Sequence, residues 1–174
     1  TDSVAIDIFI PKSIIYNSEE YSIISIGEEA FKDNTYISTI EFPEDSEILI
    51  KSYAFSNSSI EKITIPQKLT KICRSAFSFC LKLKQIEFAK NSQLQIIDEL
   101  AFSLTSIQNF SVPKCTKSIC KFAFCNCKKL NKFEIINNNE VCTIENDVFD
   151  SSSIETLCIK SNLIKYEKNW CSGI

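Results

Sequence analysis

The sequence predicts a repeat solenoid, mainly β, with a curved parallel sheet along one side and short turns or brief helical segments along the other. Six phenylalanines carry that expectation, because Phe31, Phe55, Phe77, Phe102, Phe124 and Phe149 recur at steps of 24, 22, 25, 22 and 25 residues. Each follows a small residue (Ala30, Ala54, Ala76, Ala101, Ala123 or Val148). Each also stands five residues after an isoleucine (Ile26, Ile50, Ile72, Ile97, Ile119 or Ile144). Self-similarity at a near-constant period means supersecondary units that stack and share one continuous core.

The elements follow in order. Ile8-Phe9-Ile10-Pro11 matches Ile63-Thr64-Ile65-Pro66, so residues 1–25 read as a degenerate N-terminal coil that runs on through Ile14, Ile15, Tyr16 and Tyr21. Residues 26–160 hold six repeats. Beyond each phenylalanine comes an aliphatic residue, Ile37, Ile60, Leu83, Ile107, Leu130 or Ile154. Three positions on lies Ile40, Ile63, Ile86, Phe110, Phe133 or Leu157, and two further on Phe42, Ile65, Phe88, Val112, Ile135 or Ile159. This L-x-x-L-x-L spacing is the strand segment of a leucine-rich repeat, with alternate side chains turned inward. Pro43, Pro66 and Pro113 follow it, as fits a strand end where no ladder donor is needed. The distance from phenylalanine to the next aliphatic residue alternates between 6 and 5, so the repeats form three long-short pairs. Residues 161–174 leave the pattern and read as a C-terminal cap or a truncated continuation. As a cap they would hide the last apolar face, with Trp170 as a lid; open ends would instead favour end-to-end self-association.

The full wording, I-x-x-x-A-F-x-x-C-x-x-L-x-x-I-x-I-P, has a close instance at Ile26-Gly27-Glu28-Glu29-Ala30-Phe31 and resembles the BspA-type leucine-rich repeat over residues 6–160. That family occurs in bacterial surface antigens and is expanded in parasitic protists. The resemblance implies a bacterial or protist source, a cell-surface or extracellular location, and adhesion to host cells or matrix. An intracellular scaffold or adaptor in the cytoplasm is the competing reading. Fold alone confers neither role.

Composition narrows the function classes. The chain has 174 residues, 44% of them hydrophobic, and a net charge of −3. That balance gives no electrostatic case for nucleic acid. No apolar run approaches the roughly eighteen residues of a membrane span. The chain has no methionine and begins on threonine, so it reads as a fragment or processed product. It also has no histidine, which removes the commonest proton shuttle and the Ser-His and Cys-His pairs. With two glycines a phosphate-cradling loop is not possible. No catalytic residue and no cofactor are expected.

Nine cysteines are the remaining candidates for chemistry. Cys73 is in register with Cys120, and Cys80 with Cys127, but each pair is separated by a whole coil. Equivalent positions two coils apart lie about 10 Å from each other, too far for a disulfide. Cys120, Cys125 and Cys127 cluster, yet C-x4-C-x-C is not a zinc-knuckle spacing, so no metal is expected. Most of the thiols read as reduced packing residues.

The outward residues of the strands are the candidate partner-binding face, for a protein or a glycan. One column reads Glu41, Thr64, Glu87, Ser111, Glu134, Cys158, and its neighbour Thr39, Lys62, Gln85, Asn109, Lys132, Thr156. Alternating acids and interleaved lysines predict a mixed-charge ladder. Neither column contains an aromatic residue, so binding here is expected to be weak per module and strengthened by avidity.

Overall fold

The structure, a computed structural model, describes residues 5–136 and 141–168. It opens with β1 (Ile6–Phe9), β2 (Ser13–Tyr16) and β3 (Glu19–Ser22). Next come β4 (Ser25–Ile26), β5 (Ile37–Glu41), β6 (Leu49–Ile50), β7 (Lys62–Ile65), β8 (Lys71–Ile72) and β9 (Gln85–Phe88). The series ends with β10 (Ile96–Ile97), β11 (Asn109–Val112), β12 (Ser118–Ile119), β13 (Lys132–Ile136), β14 (Cys142–Ile144), β15 (Thr156–Lys160) and β16 (Ile164–Tyr166). From β4 onward, even-numbered strands have two or three residues and odd-numbered strands four or five. The chain is a β-solenoid of stacked coils with two parallel sheets.

The even strands form one continuous narrow sheet, in the order β4-β6-β8-β10-β12-β14-β16. They contain the isoleucine column, paired Ile26 to Ile50, Ile50 to Ile72, Ile72 to Ile97, Ile97 to Ile119 and Ile119 to Ile144. The odd strands carry the L-x-x-L-x-L residues and form the broad sheet. It comes in two pieces, β1-β5-β7-β9 and β11-β13-β15.

Between the two sheets stands the phenylalanine column. The six rings stack face to face, with centroids 5.2–6.0 Å apart and planes tilted by 1–29°. Five of the six are fully buried, and Phe31, at the N-terminal end, is partly covered. Such stacking adds about 0.5–1.5 kcal/mol per pair beyond area burial.

The third side consists of turns, and among the described residues there is no helix. Backbone conformation explains this. The residue two before each phenylalanine (Glu29, Tyr53, Ser75, Leu100, Phe122, Asp147) has φ of 52–60°. So does the residue two after (Asp33, Asn57, Phe79, Leu104, Asn126, Ser151), at 56–60°. Left-handed residues this close together interrupt any right-handed helix, at about 1–2 kcal/mol each for non-glycine. Hydrogen bonds to the next coil offset that strain: Tyr53 N donates to Arg74 O (3.1 Å), Phe55 N to Ala76 O (2.8 Å) and Asn57 N to Ser78 O (2.8 Å). The Cys80 and Cys127 thiols belong to the same scheme, donating to Phe55 O (2.9 Å) and Phe102 O (3.1 Å).

The first coil differs from the others after its strand. β1 lies in the broad sheet, with Ile8 opposite Ile40. The next residues form an antiparallel hairpin, β2–β3, instead of continuing a coil. Asn17 and Ser18, both with positive φ, make its two-residue turn. At the other end β16 continues the narrow sheet alongside β14, with Ile144 opposite Tyr166. Trp170 lies outside the described residues.

Candidate functional site

The outward face of the broad sheet has the expected register within each piece. Thr39 faces Lys62, which faces Gln85, and Thr64 faces Glu87. In the second piece Asn109, Lys132 and Thr156 align, as do Ser111, Glu134 and Cys158. Glu41 continues its column towards β1, opposite Phe9. That pairing extends the face beyond the two columns to an aromatic residue, Phe9, which is 60% exposed on the same side as Glu41.

The polar residues of this face largely satisfy one another. Lys62 Nζ lies 3.1 Å from Glu87, and Lys132 Nζ 2.9 Å from Glu134. Gln85 Nε2 donates to Glu87 (2.7 Å), Ser111 Oγ to Glu134 (3.3 Å) and Thr39 Oγ1 to Asp7 (2.6 Å). The Lys132 hydrogen bond holds the Glu134 carboxyl below its ordinary range. All these groups reach solvent, so each pair contributes little to stability.

Between β9 and β11 the two columns are interrupted. Gln85 does not pair with Asn109, nor Glu87 with Ser111, and the sheet parts there. The inward column changes residue type at that step, from Ile40, Ile63 and Ile86 to Phe110 and Phe133. Phe110 fits edge-on against Phe124 (4.7 Å between centroids), and the ring of Phe88 meets it edge-on in turn (5.6 Å, 85°). The parting falls at this change of residue type, whereas the Phe133-to-Leu157 step further on stays paired. One consequence is that Ile86 is half-exposed, whereas Ile40 and Ile63 are buried.

A cleft of about 620 Å³ opens at the parting. Ile86, Phe88, Ala89 and Pro113 give it apolar walls; Asn91, Ser92, Asn109, Ser111, Lys114 and Cys115 make up the rest of its lining. Asn109 and Ser111 belong to the face read from the sequence, but the other lining residues do not. One signal marks the place, the isoleucine-to-phenylalanine change at Phe110.

The cysteines sit apart from this site, except for Cys115. Burial pushes the thiols of Cys80, Cys127 and Cys142 up to about 11. Burial also raises Cys73 and Cys120. All eight cysteines among the described residues are free thiols. The register shows why the in-register pairs stay apart: β10 lies between β8 and β12, with Asp98 between Cys73 and Cys120. Among the described residues no group of three or more potential ligands is placed to hold a metal ion.

A model of the BspA type leucine-rich repeat region matches residues 7–114 and 95–172, in six copies. The chain belongs to the BspA-type leucine-rich repeat family. The same architecture is seen in a leucine-rich repeat protein from Bacteroides ovatus, at TM-score 0.71 and 23% identity over 90% of this chain. The BspA-type chain spans 45% of that protein's length. The pneumococcal vaccine antigen PcpA overlays at TM-score 0.48 and 15% identity, covering 97% of this chain and 77% of PcpA. A leucine-rich repeat protein from Bacteroides capillosus overlays at 0.45 and 21% identity, covering 74% of this chain and 75% of its own. No curated protein gave a significant match. The likeness to the Bacteroides ovatus protein speaks to fold. No helix among the described residues is long and apolar enough to cross a membrane.

Proposed function

We propose that this BspA-type solenoid is a non-catalytic interaction module that docks a protein or glycan on the outward face of its broad sheet. The observation behind this reading is the polar surface on the two pieces of that sheet, Thr39 to Glu87 and Asn109 to Cys158, in which Lys62 pairs with Glu87 and Lys132 with Glu134. These two pairs can be covered by a partner without leaving either charge unpaired, which lowers the desolvation cost of docking there. Phe9, exposed at its N-terminal margin, supplies an aromatic contact of the kind that dominates interface energetics. Family membership supports a role in the parent protein as a surface antigen that attaches to host cells or matrix, with repeated modules adding avidity.

The test is binding of the recombinant chain to intact host cells and to immobilised matrix proteins, with Glu87→Lys/Glu134→Lys as the face variant. The wild type is expected to bind saturably. The variant, having lost two ion pairs and exchanged two negative charges for two positive ones, is expected to bind more weakly, with a changed salt dependence. If wild type and variant both fail to bind, the adhesion reading loses its content.

A further inference from the structure

We propose that the cleft between β9 and β11 is a second binding site, one that takes an extended peptide segment by strand addition, with an apolar side chain seated between Ile86 and Phe88 and an acidic residue beside Lys114. The site differs in chemistry from the flat polar face and stands whether or not that face binds a partner.

Three observations carry it. The first is the direction of the main chain. Gln85 N and Ala89 N donate to Glu61 O (3.4 Å) and Ile65 O (3.0 Å), on the β7 side. Successive residues of a strand in a parallel ladder turn their main-chain groups to opposite sides, so Ile86 and Phe88 direct theirs toward the cleft. Lys132 N donates to Gln108 O (3.2 Å), which by the same alternation leaves Asn109 and Ser111 facing it from the other rim. Two strands thus turn toward one cleft the groups that a continuous ladder would have paired. A strand edge of this kind is a template for an extended chain.

The second observation is the apolar wall. Ile86 and Phe88 point inward by alternation but stay half-exposed, and Pro113 closes the opposite side. A pocket of about 620 Å³ is in the size range of specific ligand sites, and it has apolar walls with a few polar groups, as such sites do. An added strand alternates its side chains as β9 does, so one residue in two would reach the floor. The third observation is charge. Lys114 is the only charged residue lining the cleft and is exposed, and it makes no ion pair among the described residues. An acidic neighbour of the apolar anchor complements it. A glycan would use the asparagines and serines but would leave the strand edges and hydrocarbon floor unmatched, so a peptide is the better fit.

The test begins by panning a phage-displayed library of random linear peptides against the whole chain. The enriched sequence is then made as a labelled synthetic peptide and titrated into wild type, Ala89→Lys and Lys114→Glu. Enriched peptides should share a Phe, Leu or Ile with an Asp or Glu nearby. Ala89→Lys, which fills the cleft, should weaken binding about tenfold or more, as should Lys114→Glu; exchanging the peptide's acid for lysine should restore affinity to Lys114→Glu alone. Bound peptide should slow amide exchange at Asn109 and Ser111, whose main-chain groups face the cleft. Lys114→Glu alters only an exposed side chain, so it keeps the test valid if Ala89→Lys fails to fold. The proposal is overturned if no sequence is enriched, or if the enriched peptide binds the cleft variants as it binds wild type. It is equally overturned if a glycan array, and no peptide, shows binding that Lys114→Glu abolishes.

Discussion

The narrow sheet and the broad sheet are built from the same coils, yet one runs unbroken through seven strands and the other parts after β9. The parting coincides with a change of side chain. The narrow sheet repeats isoleucine at one position from Ile26 to Ile144, and the phenylalanine stack beneath the turns repeats one ring shape. Identical side chains stack at one spacing, so the hydrogen-bond ladder above them stays in step. The broad sheet changes from isoleucine to phenylalanine between Ile86 and Phe110, and there it opens. A change of shape does not by itself part a ladder, since Ile65 pairs with Phe88, Phe133 with Leu157 and Ile144 with Tyr166, but the step from Ile86 to Phe110 coincides with the cleft.

The largest expected effect separates the intact stack from the parting. Phe77→Ala removes a fully buried ring stacked on both sides and should cost about 3–5 kcal/mol in urea unfolding. Phe88→Ala, at the half-exposed wall of the cleft, should cost less, roughly 1–2 kcal/mol. Equal losses at the two sites would show that the cleft is as well packed as the stack.

A second expectation uses the thiols buried in the regular coils. Cys80, Cys127 and Cys142 are raised from 9.0 to about 11 by burial. The folded chain thus holds these protons more tightly than the unfolded chain, and stability falls where only the unfolded thiols ionise. Their contribution should be intact below pH 9.0 and decline as pH rises toward about 11. Denaturation midpoints across that window should drop, and a Cys80→Ala/Cys127→Ala/Cys142→Ala variant should show a flatter profile. A smaller effect is expected at the parting itself. Phe110→Ile restores the residue type of Ile40, Ile63 and Ile86, and should draw β11 toward β9 and slow amide exchange at Ser111. The lost ring contacts should cost roughly 1–3 kcal/mol, so protection would rise while stability falls.

Much of this molecule was legible from the spacing of its residues. The phenylalanine and isoleucine columns specify coils, and the L-x-x-L-x-L segment specifies the broad strands and their register, including Thr39 with Lys62 and Ser111 with Glu134. The second sheet was hidden because two-residue strands such as Lys71–Ile72 leave no alternation to read. The left-handed turns were hidden because bulky residues such as Tyr53 and Leu100 occupy them, where glycine or asparagine would have announced the conformation. The hairpin had a partial signal in Asn17-Ser18, but its Ile14, Ile15, Tyr16 and Tyr21 stay exposed and so do not follow the rule by which a core is read. The cleft was the hardest feature to foresee. It coincides with a change within a column that is apolar throughout, and a pattern of apolar positions does not register such a change.

The most direct test of this contrast is residue-resolved amide hydrogen exchange on the free chain. Ser111 should exchange about a hundredfold or more faster than Glu134, its counterpart one coil on, and than Ile119 in the narrow sheet, because local opening free energy tracks ladder continuity. Comparable protection at Ser111, Glu134 and Ile119 would mean that the broad sheet is continuous, and the account of the parting and its cleft would be wrong.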